Sequence, residues 1–196
     1  GIAAALRDAS PLGIDYPSNV VFVTRLAGYE LARFENAVYC APGRNPLYSE
    51  HAQWIPQYAL EEVLRAHAQT LAHVELKFNH ELLSIEQDAG GVCARVRDLA
   101  EHAEHTIRAD FVVGADGARS TVREAIGARM VGSYGLSRNY NVVFGAPGLA
   151  TAHRHGSAIM YWQVNDEVPS LIGPMDRGDK WFFMHTGVPP GWKLEP

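Results

Sequence analysis

The sequence predicts a mixed chain, part α/β and part α+β, and three observations carry that prediction. Residues 110–123, DFVVGADGARSTVR, run three apolar residues into Gly114 and Ala115, turn at Asp116-Gly117 and restart as a helix behind Ser120. Residues 56–71 place Leu60, Val63, Leu64, Ala68 and Leu71 on one stripe at helical spacing, with Pro56 where a first turn tolerates proline. After Gly127 come short strand-like runs at near-regular spacing, parted by turn residues, which is the pattern of an antiparallel sheet.

In chain order, residues 1–8 are alanine-rich with Ile2 and Leu6 four apart, the tail of a helix that Pro11, Gly13 and Pro17 break. Residues 21–26 are β-branched and aromatic, Ala27-Gly28 turns them back, and Tyr29, Leu31 and Phe34 return, so residues 19–35 read as a hairpin. Residues 36–53, with Pro42, Gly43 and Pro46, read as a loop before the helix. Val74, Leu76 and Phe78 alternate as a strand, and Leu82, Leu83 and Ile85 continue it after a slip in period near Asn79-His80. Gly90-Gly91 turns the chain, residues 92–96 alternate, and residues 106–109 lead into 111–113, giving a small antiparallel meander.

Residues 111–113 form a continuous apolar run, which suits a strand covered on both faces, as in a parallel sheet. Gly114 and Ala115 remove bulk at its carboxyl end, the edge where α/β folds bind ligands. Ser120 is the expected N-cap of a short helix through Val122 and Ile126 that stops at Gly127. Beyond it, residues 142–144, 158–164, 171–175 and 180–186 read as strands, and Gly178-Asp179 as a hairpin turn.

Composition narrows the function classes. The 196 residues carry a net charge of -5, which argues against a general nucleic-acid partner. No apolar segment reaches membrane-spanning length. Cys40 and Cys93 are isolated, and the nine histidines show no metal-ligand spacing, so a reduced cytoplasmic setting without a metal site is expected. His102 and His105 sit in a charged connection and read as solvated.

On its own an Asp-Gly pair closes a turn. Here the pattern is longer, and the order charged, three apolar, two small, Asp116, Gly117, any residue, charged, Ser120, any residue, apolar, Arg123 resembles the Asp-Gly fingerprint of FAD-dependent aromatic-ring monooxygenases of the phenol hydroxylase type. The resemblance implies that Asp116, Gly117 and Arg123 lie near FAD and the route of NAD(P)H. Residues 54–61, WIPQYALE, are similar to the family's second-helix segment, whose glutamine, here Gln57, faces the ribityl and phosphate region; an amide both donates and accepts there. Glu81 and Leu82 match a position whose backbone lies beside the adenine. The stretch VVFVTRLAGYELARF is similar to the first substrate-domain hairpin of the same family.

The resemblance therefore implies part of a Rossmann-like FAD-binding domain with a β-meander, plus an antiparallel substrate-domain sheet. Its division would be residues 1–36 as the start of the substrate domain, 37–131 as part of the FAD-binding domain and 132–196 as the substrate-domain sheet. The implied reaction is hydroxylation of a phenolic ring by dioxygen through a flavin hydroperoxide, with NAD(P)H as reductant. Met160, Tyr161, Trp162, Trp181 and Phe183 are candidates for an aromatic pocket, although strand aromatics are more often plain core. No catalytic residue is assigned, and a homo-oligomer stays open.

Two family segments have no counterpart here, the GxGxxG turn and the Gly-Asp helix, and the chain opens on Gly1 rather than Met. It is expected to be an internal piece of a longer protein that alone binds FAD poorly and does not turn over. The alternatives are a flavin oxidase, reductase or halogenase-like relative, and a non-catalytic fragment that acts through association.

Overall fold

The computed structural model describes residues 1–40 and 46–192, so Pro42 and Gly43 of the expected loop lie outside the described residues. The chain divides into two compact units, residues 1–72 with 135–196, and residues 73–134.

The first unit is built on a six-stranded sheet. The expected hairpin forms as β1 (Val20–Val23) and β2 (Glu30–Phe34), paired antiparallel and closed where the amide of Gly28 donates to the carbonyl of Arg25 at 2.7 Å. The later strands are β6 (Tyr140–Gly145), β7 (Met160–Gln163), β8 (Ser170–Pro174) and β9 (Lys180–His185), and the spatial order is β2-β1-β7-β8-β9-β6. Hairpin and later strands thus share one sheet. It is mixed, because β1 lies parallel to β7, Val20 opposite Met160 through Val23 opposite Gln163, while the other pairs are antiparallel. Gly178-Asp179 turns as expected: the Asp176 carboxylate accepts from the amides of Gly178 and Lys180 at 2.9 and 3.1 Å.

Side-chain alternation gives this sheet two unlike faces. One buries Val21, Val23, Tyr161, Ile172 and Trp181 with Ala158, and Phe144, Leu149 and Phe183 pack against them. Tyr161 and Trp181 are each only 1% exposed. The other face carries Phe22 stacked on Trp162 at 6.1 Å, with Phe34 edge-on to Phe22 at 5.8 Å. Here Gly173 is a steric necessity, since a Cβ would come within 2.3 Å of the Ile159 carbonyl and 2.7 Å of the Phe182 ring. Trp54 leans on Phe182 at 6.5 Å, and Lys180 lies 4.8 Å over the ring of Tyr58, so the start of the long helix meets this side of the sheet. Helices α1 (Ala3–Ala9) and α2 (Gln57–Gln69) form as expected, with Pro56 at the N-cap of α2. Among the residues of α2 only Ala59 is fully buried, and Leu64 stays exposed.

The second unit is the meander, β3 (His80–Asp88), β4 (Gly91–Asp98) and β5 (Glu104–Ala109) in sheet order, followed by helix α3 (Thr121–Ala125). Three expectations are corrected here. The slip in strand period falls between Leu82 and Ser84, leaving Leu83 out of the ladder, while Asn79 sits before the strand at φ +57°. Val74, Leu76 and Phe78 are exposed and form no strand. Residues 111–113, expected as a strand buried on both faces, are also outside any ladder, with Phe111 87% and Val113 89% exposed. The reason is shared: alternation or apolarity fits a segment to a ladder but does not supply the neighbouring strand, and none pairs with these runs among the described residues.

Gly173→Ala is expected to destabilise by about 1–3 kcal/mol through overpacking. Gly145→Ala, on edge strand β6 with nothing within 4 Å of the added methyl, should stay within about 0.5 kcal/mol. Urea midpoints followed by tryptophan fluorescence check the pair, and equal midpoints would contradict the packing.

Candidate functional site

The segment after β5 folds around one carboxylate. Asp116 accepts from the Ser120 hydroxyl at 2.5 Å through Oδ1 and from the Val122 amide at 3.1 Å through Oδ2. The Ser120 oxygen, buried, accepts in turn from the Arg123 amide at 2.9 Å, making it the N-cap the sequence indicated. These bonds satisfy helix-start N–H groups that would otherwise lack partners. The Ser120 hydroxyl first, then the Val122 amide, hold the Asp116 carboxyl below its ordinary value. Gly117 opens a short 3-10 turn, Gly117–Arg119, at φ +75°, a conformation that disfavours any residue with a Cβ, and no atom lies within 4 Å of where that Cβ would stand.

Arg123 bends back over this turn, donating to the carbonyls of Ala118 at 2.9 Å and Gly117 at 3.4 Å. Two of its five N–H groups are so used, leaving donors for an anionic or hydroxyl-rich ligand. Its stem joins Val112, Gly114, Val122 and Ile126 in a crevice of about 670 Å3, whose far wall is Ile85, Gln87 and Val92 from β3 and β4. Gly114 lets the chain lie against the helix, because a Cβ there would stand 2.7 Å from that of Val122.

The structure therefore brings Asp116, Gly117 and Arg123 together. Asp116 is not a bare acid at a cleft; its first task is to cap α3. Leu82 is half-buried on β3 of the same unit, opposite Val96, and does not line the crevice. Gln57 belongs to the other unit, exposed in the first turn of α2, with its amide donating to Glu61 at 2.6 Å. An apolar wall for a flat ring, an unobstructed turn at Gly117 and spare guanidinium donors fit one edge of a dinucleotide cofactor such as FAD. The sequence reading missed Ile85 and Val92 as crevice wall, though their alternation on β3 and β4 was the available signal.

The pocket aromatics separate by face. Tyr161 and Trp181 are core, and Phe183 packs against them. Met160 and Trp162 are half-buried on the opposite face, where the Trp162 indole donates to the Met160 sulfur at 3.1 Å and Phe22, unremarked in the sequence, completes the patch.

Comparison with known proteins converges on one group. The FAD binding domain family matches residues 26–190. The 2,4-dichlorophenol 6-monooxygenase of Delftia acidovorans is 35% identical over 162 residues, 81% of this chain and 27% of that protein. Aklavinone 12-hydroxylase of Streptomyces peucetius is 36% identical over 134 residues, 68% of this chain and 27% of the relative. The crystal structure of the flavin-dependent monooxygenase PieE, in complex with FAD and substrate, superposes with a TM-score of 0.82 at 29% identity, over all of this chain and 34% of that one. Aklavinone-11 hydroxylase with FAD and aklavinone shares the fold, with a TM-score of 0.75 at 24% identity, over 98% of this chain and 37% of its own. The chain spans about a quarter of the length of these two curated relatives.

Ser120→Ala is expected to cost about 1 kcal/mol as a lost cap and to return the Asp116 carboxyl toward its ordinary value. The sign follows from the lowered pKa: the carboxylate stabilises the fold fully above the ordinary carboxylate range and loses that contribution as pH falls through its depressed folded value. Carboxyl 13C titration of both proteins checks this, and an unmoved Asp116 in the variant would contradict it.

Proposed function

The chain belongs to the FAD binding domain family, that of the FAD-dependent aromatic monooxygenases, and on that premise we propose that it supplies cofactor-facing and substrate-facing parts of an enzyme that hydroxylates a phenolic ring. The arrangement that carries the reading is the open Asp116-Gly117 turn beside the Arg123 guanidinium at the mouth of an apolar crevice. When bound, FAD supplies the redox chemistry by which NAD(P)H and dioxygen hydroxylate an electron-rich ring.

In this reading each residue has a limited task. Asp116 fixes the turn and helix start, so that Gly117 presents bare backbone to the cofactor. Arg123 donates to its oxygens, and Val112, Val122 and Ile126 keep water off its rings. Gln57 accepts from a ribityl hydroxyl through its carbonyl oxygen or donates its second amide N–H to the phosphate, and the backbone at Leu82 lies beside the adenine. On the first unit, Phe22, Met160 and Trp162 offer a flat apolar face to an aromatic substrate. The two free cysteines accord with a cytoplasmic setting, and no helix among the described residues is long and apolar enough to cross a membrane.

Titrating FAD into the 196-residue chain, followed by flavin fluorescence, tests the placement. Binding is expected to be weak, with Arg123→Gln weakening it about tenfold, the worth of one charge-assisted hydrogen bond. Tight binding indifferent to both Arg123→Gln and Gln57→Ala would overturn the assignment. For the activity, the measurement is NAD(P)H oxidation stimulated by a phenol in an enzyme of the relatives' full length that contains this segment. A hydroxylated product supports the proposal, and peroxide alone points to an oxidase.

A further inference from the structure

On β7, Met160 and Trp162 stand two residues apart, so their side chains leave the same face of the six-stranded sheet. The Trp162 indole Nε1 donates to the Met160 sulfur at 3.1 Å. Thioether sulfur is a weak acceptor, and the single N–H of an indole usually finds an oxygen when it leaves bulk water. Here that donor is committed to sulfur. The indole is also held from its other side, because it stacks on Phe22, its ladder partner on β1, at 6.1 Å and an interplanar angle of 9°.

The other methionines lack this arrangement. Met130 is 80% exposed, while Met175 and Met184 are half-buried like Met160. No polar group among the described residues donates to the sulfur of any of these three. The difference bears on oxidation. A thioether is oxidised when a sulfur lone pair attacks one oxygen of hydrogen peroxide: the S–O bond forms as the O–O bond breaks, sulfur becomes sulfoxide, and the departing hydroxide takes the proton of the transferred oxygen and leaves as water. Sulfur gains positive charge along that path. A donated N–H opposes it twice, by occupying one lone pair and by drawing electron density from the other.

We propose that Trp162 shields Met160 from peroxide, and that Met160 is the redox-sensitive position of the aromatic face it shares with Phe22. Sulfoxide in place of thioether puts a polar, chiral group among these rings and ends the apolar character of the patch. The indole N–H thus has a protective task beside any contact the ring makes with a ligand. The shielding rests on the Met160–Trp162 geometry alone, whereas the arrival of peroxide at this face rests on the proposed dioxygen chemistry. Peroxide added from outside lets the two readings fail separately.

Treating the 196-residue chain with dilute hydrogen peroxide and following each methionine by peptide mass spectrometry tests this. In Trp162→Phe, which keeps a ring against Phe22 but has no N–H, Met160 is expected to oxidise about three- to tenfold faster, the worth of one hydrogen bond, with Met175 and Met184 unchanged. The same acceleration is expected in protein grown on benzothienylalanine, a tryptophan isostere that lacks the N–H and keeps the shape of the ring. Acceleration in Trp162→Phe without acceleration in the isostere would mean exposure alone and overturn the proposal, as would an unchanged Met160 rate in both. Should all three half-buried methionines speed up together, the fold has loosened and the wild type decides. Its Trp162 indole 1H–15N resonance should move in step with sulfoxide formation at Met160 and ignore oxidation at Met130; an indole resonance that stays in place while Met160 oxidises would overturn the pairing.

Discussion

The first unit depends on the parallel pairing of β1 with β7. Without it the chain would hold a two-stranded hairpin and a separate four-stranded sheet, and an isolated hairpin is marginal in water. With it, Val21 and Val23 come beside Tyr161, Ile172 and Trp181 and close a single core. The ladder also ties residues 20–23 to residues 160–163, so the second unit is spliced into a loop whose two ends are already joined. That closure carries a considerable loop entropy, offset by the burial of large side chains.

Asp116 shows how one residue serves two levels of organisation. Its carboxylate is engaged by the Ser120 hydroxyl and the start of α3, so its orientation is set by the protein before any ligand arrives. Arg123 is likewise held through its amide and two N–H groups while part of its guanidinium stays uncommitted. A group restrained in this way loses little freedom on binding, which is the sense in which a preorganised site favours its ligand. The far wall of the crevice, Ile85, Gln87 and Val92, comes from the meander, while Val112, Val122 and Ile126 stand on the same segment that Asp116 organises.

Local features of the sequence were legible because they rest on near-neighbour physics. The hairpin at residues 20–34, the helix after Pro56, the Ser120 cap and the Gly178-Asp179 turn all follow from propensity, capping and turn chemistry. What was not legible depends on distant partners. Nothing in the period of residues 20–23 announces a parallel neighbour 140 residues on. Residues 111–113 show the converse: apolar enough for a buried strand, they lie exposed, because burial is a property of the surroundings. The aromatic run illustrates a third limit. Residues 160–162 are all bulky, and only the register decides that Tyr161 enters the core while Met160 and Trp162 face outward.

The spliced topology has a consequence for synthesis. β1 leaves the ribosome about 140 residues before the strand it must pair with, a wait on the order of ten seconds at translation rates of about 5–20 residues per second. During that interval both edges of the nascent hairpin are unpaired and no core lies beneath it, while the whole meander emerges and has time to fold. The order of assembly is thereby written into the connectivity: the inserted unit can be complete before its host exists, and the host closes last, when β7 through β9 arrive together.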